Sequence, residues 1–186
     1  MSMTFVLGGA RSGKSAYAQV LAEAAAARIG RPPVMIATAE GLDEEMAARI
    51  AAHRRERGEA WRTVETPLDL PAAICALAPD EAVVVDCLTL WLSNLMFAER
   101  DVEAATDELL MALGQTRAEV VVVSNEVGMS LVPEDALARA FRDAAGRLNQ
   151  RVVQQADHAV VMFCGLGVAL KGAPPWVGSP HLNASP

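Results

Sequence analysis

Lysine is almost missing from this chain: Lys14 and Lys171 are the only two in 186 residues. Basic charge is in deficit altogether, with 16 Lys and Arg against 23 Asp and Glu, a formal net charge of −7. That balance excludes an ordinary nucleic-acid binder, which would be basic, although it leaves room for a local basic site. Cysteine is scarce too. Cys75, Cys87 and Cys164 stand apart in apolar runs, with neither a zinc-like spacing nor an even framework for disulfides. They are expected to be buried thiols in a reducing cytoplasm. No stretch is long enough to cross a bilayer, because the longest apolar run, residues 82–92, is interrupted by Asp86. No basic segment leads into a long apolar one at the start, so no signal peptide is expected. What remains is a chain that is 52% apolar, alanine-rich and of a length suited to one globular domain with a real core.

One of the two lysines falls inside Gly8-Gly9-Ala10-Arg11-Ser12-Gly13-Lys14-Ser15, which fits the pattern Gly, four residues, Gly-Lys-Ser. Residues 4–7 before it read as a short buried strand, and residues 16–29 after it read as a helix. Strand, glycine-rich turn and helix start are what a phosphate cradle requires. Glycines let the backbone come close to a polyphosphate, so that unpaired N–H groups and the helix N-terminus bind its oxygens. Lys14 is then expected to reach the β- and γ-phosphates, and the Ser15 hydroxyl to help hold Mg²⁺. The plain alternative is a tight strand-to-helix turn with no ligand.

Further along, residues 34–38 and 61–65 read as strands, and 82–86 is a continuous apolar run closing on an acid, as in a central parallel strand. Residues 119–124 and 158–164 repeat the buried-strand pattern. Helices are expected over 43–57, 70–77, 88–97, 102–116 and 133–155. The first of these opens on Asp43, Glu44 and Glu45 and closes on Arg54, Arg55 and Arg57, which suits the helix dipole. Residues 1–171 are expected to form one catalytic domain and 172–186, with Pro, Gly and Ser but no periodicity, a mobile tail. Strands alternating with helices imply an α/β fold, a mainly parallel sheet covered on both faces. Ligands in such sheets bind at the carboxyl ends of the strands, which gathers the phosphate loop, Thr38, Asp86 and Asn125-Glu126 on one edge.

Asp86 ends an apolar strand, where an ionised carboxylate is costly unless paired or metal-bound. It reads either as the acid that holds Mg²⁺ or as a cap for the helix that follows. His53 lies three residues after Ile50 and seven after Met46, hence on their apolar stripe, and a core histidine is one reading of it. Arg49, Arg54, Arg55 and Arg57 surround it, however, in a chain that is acidic overall. A neutral imidazole can attack phosphorus, and arginines can spread the charge that develops. Those arginines equally read as a solvated helix face. Glu126 reads as a general base, a metal contact or a turn cap.

The chain resembles the bifunctional adenosylcobinamide kinase / adenosylcobinamide-phosphate guanylyltransferase family of cobalamin biosynthesis. The resemblance rests on the phosphate loop, Ile36-Ala37-Thr38, Asp43 to Ile50 with His53, and Trp61-Arg62-Thr63. It continues through Asn125-Glu126-Val127-Gly128-Met129, Val132-Pro133-Glu134, Phe141-Arg142-Asp143, Gly146-Arg147 and Asn149-Gln150-Arg151. It implies a P-loop NTPase fold of the RecA type and two reactions. In the first, ATP or GTP phosphorylates the aminopropanol hydroxyl of adenosylcobinamide. In the second, GMP passes from GTP to that phosphate through a GMP–histidine intermediate, with release of pyrophosphate.

The family's nucleophile falls on His53, and Ala52 occupies the place where some relatives carry a second histidine. Its guanine-nucleotide contacts fall on Gly8 to Ser15, on Ala37, Thr38 and Ala39, on Arg54, Arg55, Glu56 and Arg57, on Glu65 and on Asp86. Ser15 and Asp86 are implied as Mg²⁺ contacts. Many relatives have Glu at the last position, so the shorter Asp86 is expected to act through water. Similar proteins are homotrimers, a cytoplasmic enzyme with no nucleic-acid partner and no membrane span is implied, and a groove between subunits is the expected corrinoid site. Two other readings stand beside this one. One is a plain small-molecule kinase with His53 in the core. The other is a nucleotide-dependent switch or assembly ATPase, although the Asn-Lys-x-Asp signature of regulatory GTPases is absent.

Overall fold

A computed structural model describes residues 2–41, 44, 48, 51, 54, 55, 58 and 60–173. Its frame is one seven-stranded sheet: β1 (Met3–Gly8), β2 (Val34–Ala37), β3 (Arg62–Glu65), β4 (Ala82–Asp86), β5 (Glu119–Asn125), β6 (His158–Phe163) and β7 (Leu166–Lys171). The spatial order is β3-β2-β4-β5-β1-β6-β7. All neighbours are parallel except the last pair. The strand before the phosphate loop and the strand ending in Asp86 are therefore separated by β5. That is the RecA-type arrangement of a P-loop NTPase.

The helices are α1 (Lys14–Ile29), α2 (Leu70–Cys75), α3 (Leu88–Phe97), α4 (Val102–Gln115) and α5 (Ala136–Gln155). The central strands read as unbroken Val runs because both their faces are covered. On one face Val6, Val84, Val121, Val123 and Val160 pack on Tyr17, Ala18 and Leu21 of α1. On the other, Phe5, Val83, Val85, Val120 and Val122 meet the apolar faces of α2 to α5. Trp91 of α3 is fully buried there, and its indole donates to the Leu68 carbonyl at 2.8 Å. Each such buried aliphatic side chain contributes about 1.5–3 kcal/mol.

The helix ends follow their local chemistry. Gly30, at φ 79°, closes α1 by donating to the Ala26 carbonyl. Asp101 caps α4 through the amides of Glu103 and Ala104. Asp135 accepts from the Ala138 amide, so α5 begins after it at Ala136 and not at Pro133 as the sequence suggests.

Strand β7 was not anticipated. It pairs antiparallel with β6 through a turn in which Cys164 (φ 51°) and Gly165 (φ 80°) both take positive φ. Such turns usually announce themselves as Asn-Gly or Asp-Gly, and Cys-Gly gives no such signal. The thiols are not all buried: Cys87 is, whereas Cys75 and Cys164 are exposed. Cys75 ends a one-and-a-half-turn helix, and Cys164 occupies a turn, so neither lies on a core stripe. Last, most of the helix expected over 43–57, His53 among it, and the tail from residue 174 lie outside the described residues; Glu44, Ala48, Ala51, Arg54 and Arg55 are helical. No described helix is long and apolar enough to cross a membrane.

The thiols separate chemically. Burial, and secondarily the Asp86 charge, push the Cys87 thiol up to about 11, and a thiol held protonated is a poor nucleophile. At pH 8 a disulfide reagent is expected to titrate two thiols of the native chain within minutes and the third only on unfolding. Three fast thiols would contradict the packing around Cys87.

Candidate functional site at the carboxyl edge

The phosphate loop springs from the middle of the sheet. Gly8 ends β1 opposite Asn125 of β5 and Met162 of β6. A Cβ on Gly8 would sit 2.6 Å from the Met162 carbonyl oxygen and 2.6 Å from Ser12 Oγ, so only glycine lets the chain turn there. Arg11 takes φ 55° at the loop's exposed crest. Gly13 takes φ 95° as the N-cap of α1, with no side-chain cap and no acid in the first turn. The leading amides of α1 and the positive end of its dipole are thereby presented to the loop's hollow.

Within the hollow, Ser12 Oγ is buried with no hydrogen-bond partner among the described residues. An orphaned buried hydroxyl beside uncapped amides suits a phosphate oxygen, since such groups are otherwise costly. Lys14 curls back over the loop and donates to the Gly9 carbonyl at 2.6 Å. Ser15 is half-buried in the first turn of α1. The β6–β7 turn buttresses the loop from the far side, with the Gly165 amide donating to the Ser12 carbonyl at 3.0 Å. Sequence reasoning missed that buttress because it missed β7.

Across β5 lies the acid. Asp86 is half-buried at the end of β4 and level with Val123 of β5, which is level with Val6 of β1. Two strand spacings put it on the order of 10 Å from β1, room enough for phosphate and its counter-ion between them. The Thr38 amide donates to the Asp86 carbonyl at 3.2 Å. Thr38 Oγ1 accepts from the Cys87 amide and donates to the Cys87 carbonyl, both at 2.8 Å. Asn94 in turn donates to the Thr38 carbonyl at 2.8 Å and the Pro67 carbonyl at 3.0 Å. Thr38 is fully buried, so its side chain clamps the end of β4 and does not face a ligand. Ala37 and Ala39 on either side of it are half-buried.

A second polar network fixes the end of β5. Ser124 Oγ donates to Asn149 Oδ1 at 2.7 Å, Asn149 Nδ2 donates to the Asn125 carbonyl at 3.3 Å, and the Asn125 amide donates to Thr89 Oγ1 at 2.8 Å. The Glu126 amide then donates to the Gly8 carbonyl at 3.1 Å, tying the next loop to the phosphate loop. These are buried groups joined by Ser, Thr and Asn from three elements, a pattern with no spacing in the sequence to reveal it.

On the β3 side, Glu65 is level with Ala37, which is level with Asp86. Its carboxylate forms an ion pair with Arg54, and Arg54, Gly58, Thr63 and Glu65 line an open cleft of about 510 Å³. Arg55 is exposed on the same helical stretch. The edge thus gathers Gly8 to Ser15, Ala37 to Ala39, Asp86, Glu65 and Arg54; His53, Glu56 and Arg57 lie outside the described residues. Among the described residues no group of three or more His, Cys, Asp or Glu side chains could cage a metal. The donor set suits an ion such as Mg²⁺, which takes one carboxylate or hydroxyl from the protein and the rest from phosphate and water.

Known proteins match the chain over nearly its whole length. The model of the cobinamide kinase / cobinamide phosphate guanyltransferase family matches residues 4–170. The chain is 43% identical to the bifunctional adenosylcobalamin biosynthesis protein CobU of Salmonella typhimurium, over 91% of this chain and 99% of that one. It is 41% identical to CobU of Escherichia coli (91% and 99%) and 41% identical to CobP of Pseudomonas aeruginosa (91% and 97%). Among solved structures it is similar to a KaiC-like protein from Pyrococcus horikoshii, with 13% identity, a TM-score of 0.48, and 86% of this chain and 70% of that one covered.

Proposed function

The chain belongs to the cobinamide kinase / cobinamide phosphate guanyltransferase family, and from that premise we propose that it performs both reactions at the carboxyl edge of its sheet. The carrying observation is the phosphate loop with its orphaned Ser12 hydroxyl and uncapped α1 amides, inside a stretch the family model matches almost end to end. In the kinase step the aminopropanol oxygen of adenosylcobinamide attacks the γ-phosphorus of ATP or GTP, the hydroxyl proton is lost, and the nucleoside diphosphate leaves. Lys14 and the loop amides hold the phosphates in line. In the second step an imidazole nitrogen of His53 attacks the α-phosphorus of GTP and pyrophosphate leaves. The corrinoid phosphate then displaces the imidazole, giving adenosylcobinamide-GDP. Splitting the transfer in two lets one acceptor site serve each partner in turn.

Ser15 and Asp86, the latter through water, would hold Mg²⁺, which neutralises charge on the phosphate oxygens. The Arg54–Glu65 pair beside its cleft supports a nucleotide contact on the β3 side, with Arg55, Glu56, Arg57, Ala37, Ala39 and the backbone of Thr38 completing it by resemblance. Residues 1–171 acting as one catalytic domain, a cytoplasmic location and a homotrimer belong to the same proposal. The exposed side chains of Phe163, Leu166 and Val168 on the β6–β7 hairpin support a contact between copies.

Incubation of the chain with adenosylcobinamide, GTP and Mg²⁺ tests the whole. The corrinoid is expected to gain one phosphate and then a guanylyl group, with one pyrophosphate released per GMP transferred. Accumulation of phosphorylated corrinoid alone would reduce the chain to a plain kinase. Slow GTP hydrolysis that ignores the corrinoid and responds to a protein would make it a switch.

A further inference from the structure

The segment joining β5 to α5 is unusual for a connection. Met129 is 80% exposed, Leu131 93% and Val132 66%, three large apolar side chains offered to water within four residues. Surface connections are ordinarily built from small polar residues, and exposed apolar clusters mark contacts. This one is held in shape at both ends. At its start the Glu126 amide bonds the Gly8 carbonyl at 3.1 Å, Glu126 Oε1 accepts from the Gly128 amide at 2.6 Å, and Ser130 Oγ donates to the Val127 carbonyl at 3.3 Å. At its end Arg139 donates to the Pro133 carbonyl at 2.9 Å, and Asp135 caps α5. The apolar tip is thus a presented surface whose root touches the phosphate loop.

Its charge is one-sided. Residues 126–138 contain Glu126, Glu134 and Asp135 and no Lys or Arg. Arg139, the nearest cation in the chain, is turned onto backbone carbonyls. Such a surface repels nucleotide phosphates and suits a broad apolar ligand of positive charge. A corrinoid is that kind of molecule: an apolar ring around a cationic cobalt centre, edged by uncharged amides. It must place a hydroxyl at the γ-phosphate, yet a domain of this size cannot enclose it.

Resting on the function proposed above, we propose that Met129, Leu131 and Val132 form the platform on which the corrin ring of the substrate docks. Its aminopropanol arm then runs along Glu126 and Gly8 to the phosphate loop. A second copy of the chain is a poorer occupant, because the exposed hairpin residues Phe163, Leu166 and Val168 already offer the contact between copies proposed above.

Calorimetric titration of adenosylcobinamide into the full chain loaded with a non-hydrolysable GTP analogue tests the platform. For Met129→Ser/Leu131→Ser the corrinoid Kd is expected to rise tenfold or more, while the Kd for the GTP analogue stays within twofold. Leu131→Met is expected to bind the corrinoid within threefold of the unaltered chain. The sedimenting mass should not change. Unchanged corrinoid affinity in the double variant overturns the proposal, and with an altered sedimenting mass it makes the loop a contact between copies. If the unaltered chain binds the GTP analogue but no corrinoid, the function proposed above falls and this platform with it.

Discussion

Replacing His53 by Asn is expected to remove the acid-labile, base-stable label that GTP carrying radioactive α-phosphate leaves on the protein, while phosphorylation of the corrinoid continues. In the mechanism proposed above the two steps attack different phosphorus atoms. As proposed, the kinase step needs the loop, Lys14 and the counter-ion near the γ-phosphate, and nothing in it passes through an imidazole. The guanylyl step as proposed needs a neutral nitrogen at the α-phosphate, and asparagine has nearly the size of histidine without its nucleophilicity. The expected outcome is a drop of guanylyl transfer to background, with the kinase rate and GTP affinity within a few-fold of the unaltered chain. Acid lability matters because a phosphoramidate hydrolyses in acid and survives base, which separates it from a phosphoserine. Label that persists in His53→Asn would remove the covalent assignment. Loss of kinase and transferase together would instead indicate that His53 supports the fold.

The local sequence showed as much as local sequence controls. The Val runs at 82–86 and 119–124 disclosed strands covered on both faces, and Gly8 to Ser15 disclosed a phosphate cradle, because each is a contiguous pattern dictated by nearby backbone geometry. What stayed hidden is made by residues far apart in the chain. The rule for the carboxyl ends of parallel strands puts Thr38 on the right edge, yet its hydroxyl binds the backbone of Cys87, 49 residues away. Ser124 and Asn149 are 25 residues apart and Ser12 lies far from Gly165, so neither pairing leaves a spacing to read. Strand β7 escaped for a related reason. An edge strand has one neighbour, its exposed side chains need not alternate, and Gly167 interrupts what alternation there is.

The other large effect is expected at Gly8, where the reason for glycine is space and not φ. An alanine methyl there would lie 2.6 Å from the backbone oxygen of Met162, 2.6 Å from Ser12 Oγ and 3.3 Å from Lys14 Cγ. Met162 cannot withdraw alone, because β6 is in register with β1 on one side and β7 on the other. Either β6 shifts or the loop lifts, and both move Ser12 and Lys14 away from the phosphates. Gly8→Ala is therefore expected to lose about 1–3 kcal/mol of unfolding free energy, as overpacked sites do, and to lose GTP affinity by a hundredfold or more. Gly9→Ala supplies the control for stability: no atom beyond its own chain neighbours lies within 4 Å of its Cβ position, so its unfolding free energy should stay within about 0.5 kcal/mol. Gly13→Ala should fall between them, since φ 95° strains any L-residue and Gly165 Cα stands 3.2 Å from the added methyl. Denaturant unfolding of the three variants, with GTP binding measured on each, checks the order. A Gly8→Ala chain as stable as the Gly9→Ala one would mean that β1, β6 and the loop are not packed as described.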